Sequence, residues 1–185
     1  MTQYRGGFRG GRAPGTAQFP LPRGARIRRL YHRFAIRVGE GFVGHPTSTN
    51  KLFHIWVGGE NRVFYRAVGA GRGRLEFQVA LQGVPDARTR FRANIGMPTV
   101  LTRGSWHVIE VLLQLNSAGS RNGTIEFWMD GRPGGRYADV EFLGPHEGNR
   151  VWTQVQWSPT WGGGGSVVAF PFQLGLDHAY LSGAP

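Results

Sequence analysis

Residues 104–131 read GSWHVIEVLLQLNSAGSRNGTIEFWMDG, and their alternation decides the fold class. In the first half Ile109, Val111, Leu113 and Leu115 fall on one face. Trp106, Glu110 and Gln114 fall on the other, with Val108 and Leu112 among them. In the second half Ile125, Phe127 and Met129 alternate with Thr124, Glu126 and Trp128. A period of two is the pleat of a strand, whose successive side chains point to opposite faces. A short polar loop separates the two runs. The second run ends on Asp130-Gly131, a dipeptide that accepts the positive φ of a tight hairpin.

The rest of the chain extends this reading. In 185 residues, 30 glycines and 11 prolines punctuate short apolar runs, and no stretch holds a helical period. That pattern favours an all-β sandwich or barrel. The length suits one domain with a real core and falls short of two of comfortable size. There is no cysteine, so disulfides contribute nothing and the redox compartment cannot be read from their pairing. No run approaches the roughly 18 apolar residues of a membrane span. Met1 is followed by Thr-Gln-Tyr-Arg-Gly-Gly, without the apolar segment of a secretory signal. The expectation is therefore an intracellular product, a virion component, or a mature or excised piece of an extracellular protein.

Charge is lopsided: 22 basic residues face 11 acidic ones, a net +11, and Lys51 is the single lysine. A high-GC genome would give this arginine bias with no functional cause. The functional reading is that guanidinium forks grip carboxylates, sulfates or phosphates bidentately. A positive field favours a polyanionic partner without choosing between acidic glycan and nucleic acid.

Strands are expected at 29–38, 51–57, 62–68, 74–82, 89–95, 105–116, 123–130, 136–142, 150–157 and 166–181, the last broken at Pro171. Residues 1–28, rich in Gly, Arg and Pro, read as an N-terminal arm or opening loop before a sandwich domain at 29–185. Arg5-Gly6-Gly7 and Arg9-Gly10-Gly11 have the form of RGG boxes, but two copies do not make nucleic acid the favoured partner. Residues 29–38 set Leu30, Phe34, Ile36 and Val38 against Tyr31, Arg33 and Arg37. Residues 74–81 set Leu75, Phe77, Val79 and Leu81 against Arg74, Glu76 and Gln78. Residues 150–157 set Val151, Val155 and Trp157 against Trp152, Gln154 and Gln156. Trp56 and Trp152, standing among Gln, Arg and His, are unlike ordinary solvated surface. They are expected on the concave face of one sheet.

The run Trp106-His107-Val108-Ile109-Glu110-Val111, followed by residues 123–131, resembles the concanavalin A-like lectin/glucanase jelly rolls, and within them the small polysaccharide-lyase-like domains. Residues 7–15 resemble the opening loop of that superfamily. Gly44-His45-Pro46-Thr47 with Asn50-Lys51-Leu52-Phe53 resembles its loop-to-strand passage, and residues 157–163 and 177–182 its closing strands. The resemblance spans nearly the whole chain and implies a two-sheet antiparallel jelly-roll sandwich. Such domains usually carry a further strand or two before the opening loop, which implies a late start and a strand borrowed from a neighbour. Lectins, lyases, hydrolases and structural modules all share this fold, so function must be argued from a site.

A retaining glucanase of this superfamily needs a Glu-x-Asp-x-x-Glu strand to set two carboxylates about 5 Å apart. No such triplet exists: Glu110 is followed on its face by Leu112 and Gln114, and Glu126 by Trp128 and then the turn residue Asp130. A lyase instead needs Arg, Gln or Asn to neutralise a uronate carboxylate, and a Tyr or His as base and acid. The resemblance to alginate-lyase-like members implies Gln-Ile-His, Arg-x-Glu-x-Arg and Tyr-x-Lys motifs. Here His54-Ile55-Trp56 stands nearest to the first, Arg90-Phe91-Arg92 matches the second in part, and the third is missing. His54, Arg33 and Arg92 are the catalytic candidates that remain. The six histidines show no metal-ligand spacing, so no metal or other cofactor is expected. Related jelly rolls often hold a structural calcium, but no residue here marks one.

The main expectation is a non-catalytic, lectin-like module that binds acidic polysaccharide or surface glycan through Arg33, Arg37, His54, Trp56, Gln78, Trp152, Gln154 and Gln156. A first alternative is a structural assembly protein, such as a virion decoration protein. Arg5, Phe8, Arg9 and Arg12 of the 1–28 arm would then reach neighbouring subunits in a homo-oligomer. A second alternative is a polysaccharide lyase acting by β-elimination on a uronate polymer.

Overall fold

The computed structural model describes every residue except 23, 59–61 and 185. Along the described chain run β1 (Thr2–Tyr4), β2 (Ala17–Pro20), β3 (Arg29–Val38), β4 (Thr49–Trp56), β5 (Arg62–Val68), β6 (Glu76–Gln82), β7 (Arg90–Phe91), β8 (Trp106–Gln114), β9 (Gly123–Met129), β10 (Arg132–Val140), β11 (Gln154–Trp161) and β12 (Phe172–Ala184). They form two antiparallel six-stranded sheets, one ordered β1-β12-β3-β8-β9-β10 and the other β2-β11-β4-β5-β6-β7.

The stretch that decided the fold class sits inside the first sheet. β8 and β9 pair from Ile109 opposite Met129 to Gln114 opposite Thr124. Asp130 (φ 53°) and Gly131 (φ 73°) then turn the chain into β10. Two successive positive φ angles are the signature of a type I′ hairpin, whose twist matches that of its strands. Asp130 also anchors the turn. Its N–H donates to the Val108 carbonyl at 2.8 Å. Its carboxylate accepts the Val108 N–H at 2.8 Å and the His107 Nδ1 proton at 2.7 Å. Thr102 N–H donates to His107 Nε2 at 2.9 Å, which fixes the proton on Nδ1.

Between the sheets lies an aromatic core. Phe34 is fully buried, 4.7 Å from the Phe53 ring and stacked on Tyr65 at 5.9 Å. Phe77 of the second sheet meets Phe127 of the first edge-on at 5.7 Å. His32 sits in the same layer, 4.6 Å from Phe53 and 4.8 Å from Phe34, and neither ring nitrogen has a partner among the described residues. Burial brings its pKa down to about 3, so it is neutral in the folded protein.

Three sequence expectations change. Residues 89–95 yield only the short β7. Beyond it the N–H groups of Asn94 and Ile95 bond the Gly134 carbonyl at 2.9 and 3.2 Å, so the chain has already crossed to the edge of the first sheet. Residues 150–157 become a strand starting at Gln154. Trp152 precedes it in irregular backbone where the period of two does not apply, and it is buried instead of lining an outer face. Its indole donates to the Arg28 carbonyl at 3.0 Å and packs on Phe142 at 5.6 Å. Residues 1–28, expected as an arm or opening loop, are built into the sandwich. They supply β1, paired with β12, and β2, paired with β11. Tyr4 enters the core between Phe172 and Phe8, its hydroxyl donating to the Pro159 carbonyl. Phe8 packs inside the chain, while Arg5, Arg9 and Arg12 remain exposed.

Candidate functional site

The outer face of the second sheet collects most of the polar and aromatic side chains that the sequence singles out. One row across it runs Gln18, Gln156, His54, Phe64, Ala80 and Arg90, each opposite the next. The adjacent row runs Thr160, Lys51, Arg66 and Gln78. On the other side of the first row, Gln154 stands opposite Trp56.

A β-bulge builds this face. Lys51 pairs with Arg66 and Phe53 with Tyr65, so Leu52 is the extra residue of β4. Without it, Lys51 would share the inward face of Phe53 and Ile55. With it, Lys51 points outward beside His54, and its Nζ lies 4.2 Å above the Phe64 ring. The His54 ring meets the same Phe64 edge-on at 4.8 Å. Bulges re-aim side chains in this way at barrel rims and binding sites.

Arg66 is the most unusual member. It is a cation on an outward position, yet only 9 % exposed. Its Nη2 donates to Gln78 Oε1 at 3.2 Å, and its Nε is buried with no partner among the described residues. Burial, then the charges of Arg90 and Arg92, brings its pKa down to about 10, so it remains protonated at neutral pH. Gln78 is itself 2 % exposed. Glu76, the acid of this sheet's described strands, is paired with Arg74 at 2.9 Å. A desolvated cation with an unused N–H, beside an amide and among further cations, is suited to an anionic ligand, because each partner is stronger away from water.

Of the residues expected to bind glycan, His54, Trp56, Gln78, Gln154 and Gln156 do share this face. Arg92 lies just past β7, at the edge of the same sheet. Arg33 and Arg37 do not join them, because β3 belongs to the first sheet and its outward side chains face away on the far side of the sandwich. Arg37 Nε is engaged there with the Gly104 carbonyl at 2.8 Å. Trp152 is excluded by its burial. Sequence reasoning missed Lys51, Phe64 and Arg66. The alternation of residues 62–68 holds the signal for the last two, while Lys51 is visible only as the chain's single lysine. Among the described residues, no group of three or more His, Asp or Glu is placed to hold a metal ion.

The sequence matches no family model and no curated protein. Solved structures do match. A double mutant of the alginate lyase Aly36B in complex with alginate trisaccharide superimposes with a TM-score of 0.71 at 14% identity, covering 99% of this chain and 80% of that one. The endo-β-1,4-glucuronan lyase of the fungus Trichoderma reesei gives 0.64 at 16% identity, covering 100% and 80%. The alginate lyase vAL-1 from Chlorella virus gives 0.61 at 12% identity, covering 99% and 84%. The fold is therefore the jelly-roll sandwich found in small polysaccharide lyases. At these identities the likeness concerns the fold, and the chemistry has to be argued from the residues.

Proposed function

We propose that this chain binds an acidic polysaccharide across the outer face of the second sheet and cleaves it as a lyase, by β-elimination beside a uronate carboxylate. The observation that carries the reading is Arg66, a buried cation whose Nε–H has no partner among the described residues, in a row with Lys51 and Gln78 and next to His54. Arg66 and Lys51 hold the carboxylate and stabilise the negative charge that spreads onto it as the neighbouring C–H loses its proton. Gln78 holds the guanidinium in place. His54 takes that proton, the carbon–carbon double bond forms as the glycosidic C–O bond breaks, and the leaving oxygen takes a proton back from the imidazolium. Trp56, Gln154 and Gln156 line the same face for neighbouring sugar rings. The matching lyase structures, two of alginate lyases and one of a glucuronan lyase, support the class of substrate.

One observation favours the purely binding reading. In His54-Ile55-Trp56 a tryptophan holds the place where the alginate-lyase-like triplet carries its histidine. The two readings separate in one experiment. The protein is incubated with alginate, glucuronan and heparin while the absorbance of the unsaturated product is followed and binding is measured in parallel. The lyase reading expects product, with Arg66→Gln and His54→Ala each lowering its rate by about a hundredfold or more. Saturable binding that Arg66→Gln weakens, with no product, leaves the binding module. No binding to any acidic polymer overturns both.

A further inference from the structure

The opposite face of the sandwich carries a second concave feature that the proposed cleavage does not use. A cavity of about 650 Å³ opens on the outer face of the first sheet, lined by Arg29, Tyr31, Glu110, Leu112, Trp128 and the end of β12 at residues 182–184. The register explains why these residues meet. Tyr180, Arg33, Glu110 and Trp128 form one row across the sheet, and Ser182, Tyr31, Leu112 and Glu126 the next. Tyr31 and Trp128 thus stand diagonally across Glu110 and Leu112, two aromatic walls over a floor that is half apolar and half carboxylate. The Tyr31 hydroxyl donates to Glu110 Oε2, which fixes the carboxylate and leaves its second oxygen available. A bulge in β12 completes the rim. Asp177 pairs with Ala35 and Tyr180 with Arg33, so His178 and Ala179 stand against the one residue Phe34, and His178 takes a φ of 47°. Tyr180 is thereby turned outward, 55 % exposed and 6.2 Å from the Tyr31 ring.

We infer that this cavity is a second carbohydrate subsite, for a neutral pyranose of an oligosaccharide chain, on the face opposite the candidate cleavage site. Rigid aromatic walls stack on the C–H face of a sugar ring, and a held carboxylate accepts its hydroxyl protons. The lining carries one arginine and one glutamate, so it balances in charge, and a carboxylate on the floor repels a uronate. The second sheet's outer face, with Lys51, Arg66 and Arg90, has the opposite preference. Tyr180 continues the aromatic track beyond the cavity, which suits a chain over a single sugar. Burial, and then the bond to Glu110, pushes the Tyr31 pKa up to about 12, so the hydroxyl keeps its proton across the pH range of any assay.

The inference is independent of whether the other face cleaves anything. Isothermal titration of the protein with cellohexaose, laminarihexaose and mannohexaose tests it. Saturable binding of at least one is expected. Glu110→Gln should weaken it about tenfold, the worth of a charged acceptor, and Trp128→Ala should abolish it. Arg66→Gln should leave it unchanged. Trp128→Phe keeps an aromatic ring on the wall and should retain most of the affinity, which guards against Trp128→Ala failing to fold. No saturable binding of any of the three overturns the inference, as does binding indifferent to Glu110→Gln and Trp128→Ala alike. Light scattering that shows a dimer broken by Trp128→Phe or Glu110→Gln, with no glycan bound, assigns the face to a second copy and overturns it too.

Discussion

At the scale of single residues, the two most informative groups are polar side chains in unexpected burial. Arg66 carries the candidate site because desolvation makes its charge effective. His32 carries none of the chemistry but sets an acid limit on stability. In the fold it stays neutral down to about pH 3, whereas in the unfolded chain it binds a proton below about pH 6.5. The unfolded state therefore takes up more protons in that window. Stability is at its full value above pH 6.5 and falls as the pH drops toward 3, by roughly 1.4 kcal/mol per unit once the unfolded histidine is charged. Burial also lowers the His45 pKa, so the slope has two sources. His32→Phe, which fits the surrounding rings and removes two unpaired nitrogens, should flatten the dependence of urea-unfolding free energy on pH between about 6 and 4. An unchanged slope would show that His32 is not its source. Asp86 acts lower down. Burial works to raise its pKa, but the Arg88 side chain and the N–H groups of Glu141 and Arg88 outweigh this and hold it at about 2.

At the scale of elements, the hairpin β9–β10 and the bulge in β4 do opposite work. The hairpin closes the first sheet in the register its sequence announces. Gly131 at φ 73° has open space where a side chain would go, so its requirement is conformational. Gly131→Ala should cost about 1 kcal/mol in chemical unfolding. Asp130→Ala should cost more, about 1–3 kcal/mol, since it leaves the Val108 N–H and the His107 ring without their acceptor. Equal costs for the two would mean that the carboxylate contributes nothing beyond the turn. The bulge at Leu52 breaks a regular alternation to bring Lys51 beside His54. The strand assignments at 29–38, 62–68 and 105–116 were legible because a pleated strand with one buried face imposes period two on its residues. A bulge removes that period locally, so the alternation of residues 51–57 carries no sign that Lys51 points outward.

At the scale of the whole molecule, the sandwich presents two outer faces of different character, one with the cationic row of Lys51 and Arg66 and one with an aromatic cavity whose charged lining is Arg29 and Glu110. The N-terminal segment is built into both sheets, β1 at the edge of one and β2 at the edge of the other. Trp157 Nε1 ties in its start by donating to Thr2 Oγ1 at 2.9 Å. Deleting residues 1–20 should therefore lower the melting temperature by many degrees and expose β11 and β12, seen as aggregation on heating. A truncated chain that melts like the full one would overturn the role given to these strands. By itself the sequence determined the fold class, most strands, their buried faces, the Asp130-Gly131 turn and the lack of a Glu-x-Asp-x-x-Glu triplet, because all of these are local patterns of period, turn chemistry and spacing. Tertiary structure alone decided which strands share a sheet. It thereby parted Arg33 and Arg37 from His54 and Trp56, buried Trp152, and placed Lys51 and Arg66 in one row. Period two says which side chains lie on the same face of a strand, but only long-range pairing says which faces lie side by side.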